Sequence, residues 1–278
     1  VSAPCAIGDT SWIKPGVSSW IYWAYNNGSK DKKLLCDYVD LAAEMKWPLT
    51  LVDAEWDDIK DGAVEDVIEY SKSRGVKPML WYNSSTAEWI QEAPGPKFRL
   101  NASYNRQYEF ERVAKMGVVG LKIDFFRSEE VSDMDYYIDL LEDAADAHLL
   151  INFHGATIPR GWQRTYPNLM SHEAVYGAEC YNNKPTMTKR AACHNATLPF
   201  TRNVIGSMDY TPCAFTDSQH EHITSNGHEL ALTVLFESGI QHMADRPSSF
   251  LSQNDDVKAF LSVVPTAWDE TKLISGYP

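Results

Sequence analysis

The feature that most constrains this chain is a repeated alternation of short apolar runs with stretches of helical spacing. The runs fall at residues 18–24 (SSWIYWA), 49–53 (LTLVD), 77–83 (KPMLWYN), 120–126 (GLKIDFF), 149–153 (LLINF), 169–173 (LMSHE), 204–208 (VIGSM) and 239–243 (GIQHM). Between them, residues 31–47, 63–74, 103–116, 133–147, 227–237 and 255–264 carry the apolar spacing of one helix face. Pro48, Gly75, Gly117 and Pro265 mark helix ends. Eight such runs, alternating with helical stretches, predict an α/β fold closed as a (β/α)8 TIM barrel over residues 1–265. The runner-up is a doubly wound open sheet. Against it, neither GxGxxG nor GxxxxGK[ST] occurs, so there is no phosphate cradle for a nucleotide. A chain of 278 residues suits one barrel, a fold that typically takes about 250. Residues 266–278 trail or begin another element.

In the fourth run, Lys122 and Asp124 stand two positions apart. On a strand they share one face, while Leu121, Ile123 and Phe125 take the other. Burying charges in an apolar strand is costly, so the pair belongs where the strand opens on a polar pocket. Barrel chemistry collects at the C-terminal ends of the strands. Those ends read Asn26, Asp53 with Glu55 and Trp56, Asn83, Asp124, His154, Glu173 and Asp209. Carboxylates, an amide, an imidazole, a lysine and several tryptophans suit a neutral polyhydroxylated ligand. The net charge of −13 argues against nucleic acid or an anionic membrane as a main partner. No apolar run approaches the roughly 20 residues of a membrane span. The chain starts on Val1 without a basic and apolar leader, so no signal peptide is expected within it. Its five cysteines have no zinc-type spacing. Cys180 and Cys193 are spaced to bridge a loop, but free thiols are the expectation.

Two carboxylates flanking a bond are what glycoside hydrolysis requires. One must be ionised, and Asp124 fits because Lys122 on the same face favours its charged form. The other must hold a proton for the leaving oxygen. Candidates are Glu173 and Glu179, in SHEAVYGAE. Residues 174–202 form a polar excursion longer than an ordinary connection, which marks it as functional.

DTSWIKPG (9–16), VDAEW (52–56), GLKIDFF, INFHGATIPRGW (151–162), SHEAVYGAE and NVIGSMDYTP (203–212) run in order along nearly the whole chain. Together they resemble the catalytic domain of glycoside hydrolase family 97, which holds retaining α-galactosidases and inverting α-glucosidases. The resemblance implies Asp124 as nucleophile and Glu179 as general acid/base. Inverting members carry a glutamate base directly after the histidine of the HG step. Here that position is Gly155, which favours retention. The expected activity is that of a retaining exo-α-glycosidase, an α-galactosidase releasing terminal α-linked galactose from an α-galactoside or oligosaccharide. Lys122 and His154 would hold sugar hydroxyls, and Asp53, Trp56 and Asn83 would shape the sugar pocket. The alternatives are an α-glucosidase or a carbohydrate-binding barrel without turnover. The resemblance also implies calcium (Ca2+) at Glu173 and Glu179, assisted by an N-terminal β domain, and a periplasmic or secreted location. Residues 266–278 would then begin a C-terminal β domain.

Overall fold

The computed structural model describes residues 3–25, 28–217, 221 and 223–276. Asn26, one of the expected polar strand tips, lies outside the described residues. Strands β1 (Gly16–Trp20), β2 (Leu49–Val52), β3 (Lys77–Asn83), β4 (Gly120–Asp124), β5 (Leu150–Phe153) and β6 (Leu169–His172) pair in chain order, each parallel to the next. The last, β7 (Ile240–Met243), returns to the other edge of β1. The sheet order β6-β5-β4-β3-β2-β1-β7 is that of a nearly closed parallel barrel.

The helices are α1 (Tyr22–Tyr25), α2 (Lys32–Glu44), α3 (Val64–Ser73), α4 (Ser103–Met116), α5 (Val131–Asp146), α6 (Cys180–Asn183), α7 (Pro185–Thr188), α8 (Ala191–Thr197), α9 (Asn226–Leu235), α10 (Pro247–Leu251) and α11 (Asp255–Leu261). Caps fix several of their ends. The Asp31 carboxylate accepts the Leu34 N–H at 2.9 Å before α2, and Gly117 takes the left-handed conformation after α4. The strand alternation then separates two cores. Val52, Leu80, Tyr82, Leu121, Ile123, Ile151 and Phe153 point outward to Leu35, Val39, Phe110 and Leu140 on the helices. Leu49, Leu51, Met79, Leu150, Met170 and Ile240 fill the barrel interior, and Trp20 and Trp23 continue this second core toward the C-terminal end of the barrel. A fully buried Leu or Ile contributes about 1.5–3 kcal/mol by leaving water, so this two-sided burial holds the register. What remains at the C-terminal end of the barrel is polar.

Three expectations are corrected. Residues 204–208 are not a strand. Asn203–Ile205 forms a 3-10 turn, and Met208 alone makes a parallel bridge, to His172. Side chains do the work of the missing ladder. Arg202 donates to the carbonyls of His172, Glu173, Ala174, Gly206 and Ser207, and Asn203 exchanges bonds with the Glu237 backbone. The barrel is therefore seven-stranded with a side-chain seam. The first strand ends at Trp20, where its pairing with β2 stops, and residues 22–25 turn into α1. The fourth ends at Asp124, because Phe125 adopts φ 67° and turns the chain. All five cysteines are free, Cys180 and Cys193 included. The polar excursion after β6 holds three short helices, α6 to α8. Residues 266–276 form neither helix nor strand.

Candidate active site

The strand ends surround a cavity of about 310 Å³, lined by Tyr22, Asp53, Ala54, Trp81, Pro94, Lys122, Asp124, Phe125, Gly155, Glu173 and Glu179. Its size is at the lower end of the roughly 300–1,000 Å³ usual for ligand sites. Lys122 and Asp53 form the buried ion pair. The ammonium lies 3.2 Å from Asp53 Oδ2 and 4.8 Å from the centre of the Trp20 ring. The same Oδ2 accepts the Trp20 indole N–H at 2.6 Å, and Oδ1 accepts the Ala54 N–H at 2.7 Å. Burial alone would lower the Lys122 pKa. The carboxylates of Asp53, Glu179, Asp124 and Asp209 outweigh it, so the ammonium is held above its ordinary value.

Lys122 thus pairs with Asp53, at the end of β2 two strands away, rather than with Asp124. Asp124 is 8% exposed. Its Oδ2 accepts the Trp81 indole N–H at 3.2 Å, and its Oδ1 accepts the N–H of Phe125 at 2.8 Å. Burial pushes its carboxyl above the usual range, with the charges of Lys122 and His154 pulling the other way. Gly155 makes room for it. A Cβ there would lie 2.7 Å from Asp124 Oδ1 and 2.9 Å from the Phe125 nitrogen.

Across the cavity stand Glu173, directly after β6, and Glu179, directly before α6. The Gly155 N–H donates to Glu173 Oε2 at 2.9 Å. Burial and the charges of Glu179 and Asp124 drive the Glu173 carboxyl well up. Burial also raises Glu179, while Lys122 and a hydrogen bond from Glu173 act against that. His154 sits behind both, its Nδ1 lying 3.8 Å from Glu173 Oε2 and 4.0 Å from Glu179 Oε2. Its Nε2 bonds Asp209 Oδ2 at 2.7 Å, which also accepts from Asn152 at 2.7 Å and from His242 Nδ1 at 2.6 Å. Burial alone would raise the Asp209 carboxyl. The paired imidazoles outweigh it, and Asp209 is held well below the carboxylate range.

Glu173, Glu179 and His154 each offer one ligand atom within 4.8 Å of the others, and His154 Nδ1 is buried without a hydrogen-bond partner. Two carboxyls side by side, both raised by burial, are a set that a divalent cation would relieve. Calcium takes six to eight oxygens, of which these two carboxylates would supply a share. The residues therefore fit calcium as part of its shell.

Two of the pocket-shaping candidates stand back from the cavity. Trp56 is 3% exposed, its indole N–H donating to the Trp81 carbonyl at 2.6 Å and its ring edge-on to Tyr82. It packs behind the wall. Asn83 donates to the Pro94 carbonyl at 3.1 Å and accepts the Ser85 N–H at 2.8 Å, so it shapes the cavity only by holding Pro94 in place. Tyr22 and Trp81 line the cavity instead. Burial and the facing charges of Glu179 and Asp53 push the Tyr22 hydroxyl up to about 12. No alternation rule marks Tyr22, which lies in α1 past the end of β1.

The sequence model for the family described as Glycoside hydrolase 97 matches residues 18–175, more than half of the chain. The chain belongs to glycoside hydrolase family 97.

A "probable retaining alpha-galactosidase" of Streptomyces bingchenggensis is 37% identical over 285 residues, covering 98% of this chain and 42% of that protein. A retaining alpha-galactosidase of Bacteroides thetaiotaomicron is 27% identical over 303 residues, covering 99% of this chain and 43% of the relative. Among solved structures, a beta-arabinopyranosidase superposes with a TM-score of 0.93 at 31% identity, over 99% of this chain and 45% of that one. A family 97 enzyme from Pseudoalteromonas sp. strain K8 superposes with a TM-score of 0.78 at 24% identity, over 99% and 47%, which speaks for the fold alone. The chain spans less than half the length of each of these relatives.

Proposed function

We propose that the full-length protein is a retaining, exo-acting α-galactosidase working by double displacement. The observation that carries the reading is the fit of Asp124 against Gly155. A side chain at residue 155 and the carboxylate of residue 124 compete for one space, since the Cβ would lie 2.7 Å from Oδ1. A water-activating glutamate at 155 and a nucleophile at 124 thus exclude each other, and this chain carries the nucleophile. The small cavity, floored by Lys122 and Asp53, suits one sugar ring, which favours release of a terminal residue.

In the first step Asp124 attacks the anomeric carbon from the β face while Glu179 protonates the leaving oxygen, giving a β-glycosyl aspartate. In the second, Glu179 takes a proton from water, which displaces Asp124 and yields the α-sugar. Burial and neighbouring carboxylates raise both glutamates, as a proton donor requires. Asp124 has Lys122, His154 and the Trp81 N–H to hold its charge. Lys122, Asp53 and Tyr22 face the sugar hydroxyls, and Asp209 orients His154. Glu173 and Glu179 would hold the calcium ion, whose charge would fix their geometry. Chelation should then lower the thermal midpoint, and an unchanged midpoint would count against the ion. The proposal includes N- and C-terminal β domains around the barrel, the latter starting at residues 266–278, in a periplasmic or secreted protein.

The test is proton NMR of aryl α-galactoside hydrolysis by the full-length protein. First release of α-galactose supports the proposal; first release of β-galactose refutes it, and binding without hydrolysis would favour the carbohydrate-binding alternative. Running the aryl α-glucoside in parallel decides the sugar. A second reading follows from the 31% identical beta-arabinopyranosidase. A β-L-arabinopyranoside has the ring stereochemistry of an α-D-galactopyranoside without its hydroxymethyl group, so the same nucleophile and acid serve both. The ratio of kcat/KM on the two p-nitrophenyl glycosides distinguishes them.

A further inference from the structure

We infer that Trp23 is a positioning residue for the acid/base glutamate, because it brackets the loop that carries Glu179 at two points. The inference rests on the role of Glu179 proposed above. Before Glu179, the Trp23 indole N–H donates to the Ala178 carbonyl at 2.9 Å. After it, the Asn182 side-chain amide donates to the Trp23 carbonyl at 3.0 Å. A third bond closes the bracket from the barrel seam, where the Ala178 N–H donates to the Tyr210 carbonyl at 2.9 Å. Gly177 packs so tightly on that carbonyl that a Cβ would fall 2.5 Å from it. Trp23, Ala178, Asn182 and Tyr210 are all buried, so these bonds lie where water does not compete and electrostatic attraction is strong.

The loop needs this support. Glu179 is the residue before α6, a single helical turn that is too short to hold itself. Its carboxyl direction is therefore set by the peptide before it and the turn after it, and Trp23 grips both. One short helix, α1, serves the site twice, with Tyr22 lining the cavity and Trp23 aiming the acid. Proton transfer demands this precision, because a heavy-atom displacement near 1 Å can cost on the order of 10²-fold in rate.

The test uses the full-length protein with Trp23→Phe, which keeps an aromatic ring at the position and removes the indole N–H. It compares kcat/KM for two α-galactosides, one with a methyl leaving group that requires protonation and one with a 2,4-dinitrophenyl group that does not. For the variant, kcat/KM on the methyl galactoside is expected to fall about 10- to 100-fold while the dinitrophenyl value stays within about threefold. Equal losses on both substrates would mean general loosening of the fold and overturn the inference, as would no loss on either. If Trp23→Phe does not fold, Asn182→Ala opens the other side of the bracket and is read by the same ratio with the same two overturning results. Glu179→Ala is the control and must give the same leaving-group split, more strongly. Its absence would overturn the acid/base assignment itself, separately from the bracket.

Discussion

Replacing Gly155 with alanine tests how the nucleophile is accommodated. The new Cβ would lie 2.7 Å from Asp124 Oδ1, 2.9 Å from the Phe125 nitrogen and 3.1 Å from the Phe125 Cα. Two of these three atoms are backbone and cannot swing away, so the carboxylate must yield. Ordinary contact begins at 3.4 Å, so Oδ1 has to retreat by about 3.4 − 2.7 = 0.7 Å. A misplacement of about 1 Å at a reacting group costs on the order of 10²-fold, so kcat/KM should fall about 10- to 100-fold. Gly155 also sits at φ 47°, where an alanine costs about 1–2 kcal/mol of stability whatever its neighbours. Gly161 provides the control, being left-handed at φ 82° with nothing within 4 Å of its Cβ position. Gly161→Ala should show the same stability loss in urea unfolding with unchanged kinetics. If Gly155→Ala keeps kcat/KM within about threefold of the wild type, or if Gly161→Ala loses as much, the competition between residue 155 and Asp124 is wrong.

Three further outcomes are expected. Lys122→Met leaves Asp53 charged and buried, so stability to urea should drop by about 3–5 kcal/mol; a loss under about 1 kcal/mol would mean that the pair does not hold the barrel end together. Trp56→Phe removes the bond to the Trp81 carbonyl behind the wall, costing about 1–3 kcal/mol of stability while KM for the aryl galactoside stays put; a large KM rise would place Trp56 in the sugar pocket after all. At Glu109, burial alone would raise the carboxyl, but bonds from Arg112, Tyr82 and Arg99 outweigh it and hold it at about 2 against an ordinary 4.5. Because the folded value is the lower one, its stabilisation is complete above about pH 4.5 and lost as pH falls through about 2. Allowing for solvent screening, it is on the order of 2–3 kcal/mol, and Glu109→Gln should flatten the acid limb of a stability–pH curve over that window.

Much of the barrel could be read from the chain because a strand's two-residue period converts directly into facing. GLKID is the clearest case. Leu121 and Ile123 join the outer core while Lys122 and Asp124 reach the cavity, as their spacing implies. What the period could not give was a partner two strands away, so the charge pair forms between Lys122 and Asp53 rather than within one strand. The apolar residues of VIGSM carry the signal of a strand but not its pairing. Arg202 and Asn203 satisfy the neighbouring carbonyls with side chains, and no local pattern announces that. Trp56 lies in a 3-10 turn after Glu55 at φ 67°, where no alternation rule applies, whereas Trp81 lies within a strand and faces as the rule requires. The placing of Glu179 depends on Trp23 and Tyr210, 156 and 31 positions away by subtraction of their residue numbers, which no local reading captures.

The central claim is that Asp124 forms the covalent bond to the sugar. The most direct measurement is azide rescue of Asp124→Ala in the full-length protein, using an aryl α-galactoside with a good leaving group. Removing the carboxylate opens the β face of the anomeric carbon to a small anion. The account predicts near-complete loss of activity, recovery on adding azide, and a β-galactosyl azide product identified by NMR. No recovery, or formation of the α-azide, would contradict it.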